Sequence, residues 1–282
     1  MPAAHAADCQ LARKQRGKIM RRHSIVLILA AIAATYLASA QGDAGIARRL
    51  APSGELRAAL IASNPVLVTK LRGGELAGVS VDLARALGAK LGVTVRLMPY
   101  ENPAHYNQSL GKDEWDIGLA ARDPSRAEHL AFSEVFMEVD NSYVARPGLA
   151  LKKAEDVDRA GIKVAVAQGS APDTFLTRTL KNAEIVRVPG GLVPAREALA
   201  ARRADVYGEN AHLAHGIAAE LPGASVLEGR FNVVLMSIAV PKDRADALDV
   251  INQFVREVKR NGYIAQAIER AGLRGVRPAP LE

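Results

Sequence analysis

Apolar positions along the chain follow two patterns: short continuous runs, and longer segments in which they recur every three or four residues. The first pattern is typical of buried strands and the second of helices with one buried face. Leu83, Leu87 and Leu91 recur at every fourth position and Gly92 follows them, which predicts a helix over Val79–Leu91 that ends at the glycine.

The same two patterns predict strands and helices that alternate in two successive groups. The first group contains the helix Val79–Leu91 and three strands, at Leu56–Ile61, Val93–Leu97 and Trp115–Ala120. The second group contains strands at Ile162–Ala167, Ile185–Val188 and Val206–Tyr207 and helices at Pro172–Leu180 and Pro194–Arg202. Two more helices, Arg244–Arg260 and Tyr263–Ala271, close the chain. This alternation is typical of largely parallel sheets covered by helices, so we expect two α/β lobes.

In open α/β sheets, ligands bind beyond the carboxyl ends of the strands. The residues that directly follow the predicted strands are therefore the first candidates for a binding site. They are Asn64, residues 121–123, Gln168, Gly169, Ser170, Glu209 and Asn210.

The first forty residues have the features of an export signal. Arg21 and Arg22 precede the apolar run Ile25–Ala34, and Ala38-Ser39-Ala40 offers a cleavage site. The run is shorter than the roughly 20 residues that a spanning helix needs. We expect a signal peptide over residues 1–40, cleavage after Ala40 and a periplasmic protein; an uncleaved membrane anchor is the alternative.

Two details of this segment change the picture of the mature chain. Cys9 is the sole cysteine and lies in the discarded part, which leaves neither a disulfide nor a thiol nucleophile. Met20 offers an alternative translation start, in which case residues 1–19 would not be made.

The net charge of +7 carries little information, because its excess lies in the same segment. Residues 1–40 hold six of the 37 basic and one of the 30 acidic residues, which leaves 31 basic and 29 acidic residues in the remainder. A nearly neutral body with only 4% aromatic residues is not typical of a nucleic-acid or membrane-surface binder.

Motifs for catalysis and for cofactors are missing from the sequence. It contains no G-x-S-x-G, no P-loop and no G-x-G-x-x-G. His212 and His215 lie three positions apart, which suits two metal ligands on one helix face, but no third ligand cluster accompanies them. We therefore predict no catalytic residue, no metal and no cofactor, and a protein that is not an enzyme.

Several segments resemble, in order, those of the extracellular solute-binding proteins of family 3, which include the glutamine- and histidine-binding proteins of ABC importers. The segments span nearly all of residues 52–275 and read GELAGVSVDLARALGAKLGVTV, WDIGLAARDPSRAEHLAFSEVF, IKVAVAQGSAPDTFL, ALAARRADVYGE, SIAVPKD and NGYIAQAIERAGL. The resemblance implies the type II periplasmic-binding-protein fold, with two α/β lobes joined by a two-strand hinge that closes on a ligand.

The resemblance also implies where the chain passes between the lobes. Lobe one would take residues 41–144, lobe two residues 145–233, and residues 234–282 would return to lobe one with the C-terminal helices. The crossovers would lie near Tyr143–Gly148 and Val234–Val240.

The function that the resemblance implies is capture of a small carboxylate-bearing solute, an amino acid or a related organic acid, by a monomer that delivers it to an ABC permease. Arg126 lies at the family position whose arginine binds a ligand carboxylate, and its planar guanidinium can bond both carboxylate oxygens. A surface arginine paired with Glu128 or Glu134 is the alternative.

Three further residues near these positions have candidate roles. Gly169 and Ser170 follow a strand and open a helix, where free N–H groups attract anions, although an ordinary capped turn fits as well. Arg122 offers a second positive charge, suited to a dicarboxylate. Asp123, before a proline, is more typical of a turn, and Trp115 of the core.

Recognition of an amine departs from the family pattern. The family aspartate that pairs with a ligand ammonium falls on Asn210, which is neutral, and Glu209 is the candidate substitute. Because alternate residues of a strand face opposite ways, we expect only one of the two to enter the cleft. The family threonine is Ala121 here, and the first loop has no aromatic residue.

Two other functions remain open on the same scaffold. A cyclohexadienyl or arogenate dehydratase would use Glu209 as a general acid. A ligand sensor would dock on a receptor rather than on a permease.

Overall fold

The first group of predicted elements forms one side of a continuous sheet in the computed structural model, which describes residues 45–281; the predicted signal peptide and its cleavage site lie outside them. Parallel strands β1 (Glu55–Ile61), β4 (Thr94–Tyr100) and β5 (Ile117–Ala121) lie in the order β4-β1-β5. A small hairpin, β2 (Thr69–Lys70) with β3 (Leu76–Ala77), and helices α1 (Val79–Leu91) and α2 (Pro103–Gln108) complete lobe one.

The second group forms the other side of the sheet. Strands β7 (Lys163–Ala167), β8 (Glu184–Val188) and β9 (Val206–Asn210) are parallel and lie in the order β9-β7-β8. Helices α3 (Ala171–Thr179), α4 (Leu192–Ala200) and α5 (Ala211–Glu220) cover them. The apolar faces of α4 and α5 pack with Ala165 and Tyr207 in a buried cluster that stabilises lobe two.

Two long antiparallel strands join the lobes, β6 (Leu130–Ala145) and β11 (Asn232–Pro241). They complete the order β4-β1-β5-β11-β6-β9-β7-β8. β6 pairs with β11 as far as Asn141 and with β9 from Asn141 onward, so one strand serves both lobes. The expected fold, two α/β lobes joined by a two-strand hinge, is confirmed, and both lobes lie within one unit that begins at Ala47. The boundaries after residues 144 and 233 stay a prediction.

Two short strands and two helices lie next to the hinge strands. The strands β10 (Ser225–Val226) and β12 (Val276–Pro278) each pair with β6. Between β11 and β12 lie α6 (Leu248–Arg260), which packs on β6, and α7 (Tyr263–Arg270). No helix in residues 45–281 combines the length and the apolar composition that crossing a membrane requires.

The local sequence predicted the end of α1 correctly but not the start of α6. Val79–Leu91 has the predicted bounds, and Gly92 ends it in the left-handed conformation (φ 69°), which glycine adopts without strain. The predicted continuous helix Arg244–Arg260 is wrong. A 3₁₀ segment, Lys242–Ala247, precedes α6, and Arg244 in it has non-helical angles (φ −114°, ψ 18°).

The side chain of Arg244 joins a buried ion cluster under β5. The carboxylate of Asp116 has no exposed surface and accepts hydrogen bonds from the guanidinium groups of Arg57 and Arg244. Burial opposes ionisation of Asp116, but these bonds outweigh it and hold the pKa of the carboxyl below its usual value. The cluster connects β1, the amino end of β5 and the 3₁₀ segment that precedes α6.

Candidate functional site

A cavity of about 50 Å³ lies between the two lobes at the carboxyl ends of their strands. Lobe one contributes Asn64, Leu67 and Arg126 to its wall. Lobe two contributes Ser170, Glu209 and Asn210, and the hinge strands contribute Val139, Asn141, Val234 and Met236. Both lobes and the hinge therefore surround one space, as expected for a site that opens and closes with the hinge.

Arg126 lines this cavity as a buried cation that forms no salt bridge within residues 45–281, although the charge of Asp123 acts on it from a longer distance. It lies in the 3₁₀ turn that follows β5, is 2% exposed, and its guanidinium lies 5.3 Å from the ring centre of Tyr106. Its Nε donates to Asn107 Oδ1 at 3.0 Å, and its two terminal nitrogens donate to the carbonyls of Ala121 and Gly169 at 3.3 Å. All three acceptors are neutral.

The alternative pairing of Arg126 with a surface carboxylate is wrong. Glu134 pairs with Arg256, and Glu128 is exposed. Burial lowers the pKa of the Arg126 guanidinium below its usual value, because the cation is desolvated. Of the five N–H donors that a guanidinium carries, three are used, so one remains on each terminal nitrogen for a bidentate carboxylate.

Gly169 and Ser170 lie opposite Arg126 at the start of α3. Gly169 has a left-handed backbone (φ 72°), and an added Cβ would lie 2.9 Å from Asn107 Nδ2. Its N–H donates to Asp173 Oδ2 at 2.9 Å, so the expected free N–H at this position is wrong. The Ser170 hydroxyl caps α3 by accepting from the N–H of Asp173, and Ser170 reaches the cavity wall.

Glu209 and Asn210 both line the cavity, so the expectation that only one of them would enter is wrong. The alternation of a strand stops at Asn210, because the chain turns there into α5. The Asn210 side chain caps that helix, with its Oδ1 accepting from the N–H of Leu213 at 2.8 Å. Its Nδ2 also reaches Asn64 Oδ1 across the cleft, at 3.5 Å.

Glu209 is a buried carboxyl that forms no salt bridge in the part of the chain that the structure describes. Its Oε1 accepts from the backbone N–H and from the Nδ2 of Asn210, at 2.9 and 3.2 Å, whereas its Oε2 accepts no hydrogen bond in the part of the chain that the structure describes. Burial raises the pKa of Glu209 to about 7, because neighbouring hydrogen bonds compensate only partly for the loss of water. An ammonium group in the cavity would favour its ionised form.

The capping role of Asn210 predicts a stability effect. Replacing it with alanine removes the acceptor for the N–H of Leu213, and loss of such a cap costs about 1 kcal/mol. We expect the free energy of unfolding in urea to fall by that amount for Asn210→Ala and to stay near the parent value for Asn210→Ser. Equal losses in both variants would contradict the assigned cap.

Three predicted site residues do not line the cavity: Gly169, described above, and two others, Arg122 and Gln168. Arg122 is exposed and donates to the Ser133 carbonyl at 2.6 Å; β5 faces the cavity with Ala121, so the next residue faces away. The side chain of Gln168 is exposed beyond β7. Neither position supports the predicted contact with a ligand.

Other predicted residues lie where the sequence placed them. Trp115 is buried and stacks on Tyr106 at 5.7 Å, which confirms it as core. Asp123 accepts from Ser125 N at 2.9 Å, which confirms a turn.

His212 lies in the first turn of α5 and accepts a hydrogen bond from the N–H of Arg274. Within residues 45–281, no group of three or more His, Cys, Asp and Glu side chains is placed to hold a metal ion.

Sequence reasoning missed two asparagines of the site. Asn107 on α2 bridges the lobes, because its Oδ1 accepts from Arg126 and its Nδ2 donates to the Gly169 carbonyl at 3.0 Å. Asn141 on β6 lines the cavity with a buried Nδ2 that has no hydrogen-bond partner in the described residues. The Asn102-Pro103 pair signals the short helix that carries Asn107, whereas no local pattern points to Asn141.

Comparison with known proteins gives a consistent picture. The model of a family described as bacterial extracellular solute-binding proteins, family 3, matches residues 56–272. A mutant of ArgBP from T. maritima is 25% identical, with a TM-score of 0.70, over 80% of this chain and 99% of that one. The solute receptor for L-cysteine of Neisseria gonorrhoeae is 20% identical, with a TM-score of 0.70, over 80% and 92% of the two chains.

A curated relative is similar over a shorter segment. The membrane-bound lytic murein transglycosylase F of Maricaulis maris (strain MCS10) is 30% identical over 165 residues, which is 55% of this chain and 35% of the relative. The chain thus spans about a third of the length of that relative.

Proposed function

The chain belongs to the bacterial extracellular solute-binding proteins of family 3, and we propose on that premise that it captures a small carboxylate-bearing solute, an amino acid or a related organic acid, between its lobes. The observation that carries this proposal is Arg126, a buried guanidinium that lines the cavity and whose hydrogen-bond acceptors in the described residues are neutral. A buried cation is costly unless it is paired, and a ligand carboxylate would provide the missing charge.

Hinge closure would couple capture to a change of conformation. Three hydrogen bonds join the lobes across the cleft, from Asn107 and Arg126 to the Gly169 carbonyl and from Asn210 to Asn64. A ligand that adds contacts to both walls favours this closed arrangement over an open one. Capture and closure need no catalytic group.

The location and the partner of the protein are part of the same proposal. The family is one of extracellular proteins, and the basic and apolar pattern of residues 1–40 supports export to the periplasm. There we propose that the loaded protein delivers its solute to the permease of an ABC importer.

A dehydratase is the second candidate function, and Glu209 is the observation that favours it. A buried carboxyl with a pKa of about 7 holds or releases a proton near neutral pH, which suits a general acid. Conversion of prephenate or arogenate by the purified protein, followed by product absorbance, tests this candidate. Absence of product at high protein concentration excludes it.

A thermal-unfolding screen tests capture. The panel holds amino acids, dicarboxylates, keto acids and prephenate, each added to the purified protein in excess. A specific ligand at 100 times its Kd adds about 2.7 kcal/mol to the free energy of unfolding. We expect at least one carboxylate to raise the melting temperature, and its uncharged amide analogue not to do so. A shift with the amide alone would contradict the role of Arg126.

A further inference from the structure

The space left between the closed lobes is small. Hydrogen bonds from Asn107 and Arg126 to Gly169 hold the two walls together on one side of the cavity. The free volume of this partly open cavity is about 50 Å³. A cavity that accommodates benzene has about 150 Å³, so the space here suits a much smaller group. A carboxylate and an adjacent carbon with its amine fill most of that space, which leaves room for a very short side chain.

The charges on the cavity wall are few. Among the lining residues, Arg126 and Glu209 are the charged ones. Neither forms a salt bridge in residues 45–281, so together they match the carboxylate and the ammonium of a zwitterion. A second charge on the ligand would have no partner there, and burying an unpaired charge is costly.

The rest of the wall is mainly apolar. Leu67 from lobe one, Leu213 from lobe two and the hinge residues Val139, Val234 and Met236 line the cavity together with small residues. The polar side chains of the wall are those of Ser63, Asn64, Asn141, Ser170 and Asn210. Such a wall suits a small uncharged group.

We propose that the site selects an α-amino acid with a compact, uncharged side chain, the size of that of alanine, and that Glu209 rather than Asn210 receives its ammonium. This inference rests on the proposed function. It adds that Val234 and Met236, on hinge strand β11, limit the length of the ligand side chain.

Isothermal titration of the purified protein with single compounds tests the selection. The compounds are glycine, L-alanine, L-leucine, L-phenylalanine, L-arginine, L-glutamate and propionate. We expect L-alanine or glycine to bind tightest, and the two charged side chains to bind about 100-fold more weakly. Propionate carries the carboxylate of L-alanine without its amine, and we expect it to bind at least 30-fold more weakly.

A widened cavity should change the order of preference. Met236→Ala shortens a side chain of the hinge wall and so enlarges the cavity. We expect the affinity for L-leucine relative to that for L-alanine to rise about tenfold. Leu235→Ala is the matched control, because Leu235 precedes Met236 on β11 and is exposed. If Met236→Ala does not unfold cooperatively, Val234→Ala gives the same test with a smaller change.

The outcomes separate this inference from the proposed function. Tightest binding of L-arginine, L-glutamate or L-phenylalanine overturns the inference but leaves carboxylate capture standing. Equal binding of propionate and L-alanine overturns the role of Glu209 in the same way. Binding of none of these compounds, nor of any carboxylate in the unfolding screen, overturns both. An unchanged preference in the two wall variants also overturns the inference.

Discussion

Arg126→Ala is expected to weaken binding of the carboxylate ligand by roughly 30- to 4,000-fold, which corresponds to about 2–5 kcal/mol. The reason is the surroundings of the guanidinium. It is buried, its hydrogen-bond acceptors in the described residues are neutral, and two of its N–H groups remain for the ligand. Removing it leaves the ligand carboxylate desolvated and without a counter-charge. Titration calorimetry with the tightest compound of the screen measures the loss.

Arg122 provides the matched control for this variant. It lies four residues earlier, carries the same charge and is exposed outside the cavity. Arg122→Ala should therefore bind as the parent does, which separates a local effect from a change in net charge. We expect Arg126→Ala to keep the cooperative unfolding of the parent, because the variant also removes a desolvated cation. Parent-like affinity in Arg126→Ala would mean that the ligand lies elsewhere.

Glu209→Gln is expected to weaken binding of an amine-bearing ligand by a similar factor, about 2–5 kcal/mol, with little effect on an acid that lacks the amine. The amide of glutamine keeps the size of the side chain but not its negative charge. Glu197→Gln is the control, because Glu197 lies on the exposed face of α4. Equal affinity of Glu209→Gln and the parent for L-alanine would show that another group receives the ammonium.

The same carboxyl predicts how stability and binding depend on pH. Glu209 has a pKa of about 7 in the folded protein against 4.5 for an ordinary glutamate, so the folded state holds the extra proton between these values. Stability is therefore lost as the pH rises through this window, by about 3 kcal/mol in total. Affinity for an amine changes in the opposite direction, because the ammonium needs the ionised form, and should rise about tenfold from pH 6 to pH 8.

A comparison with Glu209→Gln isolates these effects from the titration of other groups. Urea unfolding and calorimetry at pH 5, 6, 7 and 8 give the two pH profiles for each protein. Because glutamine does not titrate, the variant should lack the part of the pH dependence that comes from Glu209. The difference between the two proteins in unfolding free energy and in affinity should therefore change with pH. Identical profiles in the two proteins would exclude a buried, proton-bearing Glu209.

Periodicity predicted the lobes well but the hinge poorly. The helix Val79–Leu91 has the predicted bounds, because its leucine spacing and terminal glycine are local signals. β6 (Leu130–Ala145) was not predicted as a strand, since its sixteen residues change partners at Asn141 and face different neighbours along their length. Its extent depends on pairing with distant segments, which a local pattern does not contain.

The site shows the same division between local and distant determinants. The ends of the predicted strands led to Asn64, Ser170, Glu209 and Asn210, and the family resemblance led to Arg126; all five line the cavity. The direction of a side chain at a strand end was less predictable, because Arg122 follows the alternation of β5 outward whereas Asn210 breaks the alternation of β9.

A crystal structure of the protein with the tightest compound of the screen tests the central claim most directly. That claim is that the cavity between the lobes holds the ligand by its carboxylate on Arg126. We expect both carboxylate oxygens within hydrogen-bonding distance of the guanidinium, about 2.7–3.2 Å, with the lobes closed around the ligand. A ligand bound outside the cleft, or one whose carboxylate does not contact Arg126, would contradict the account.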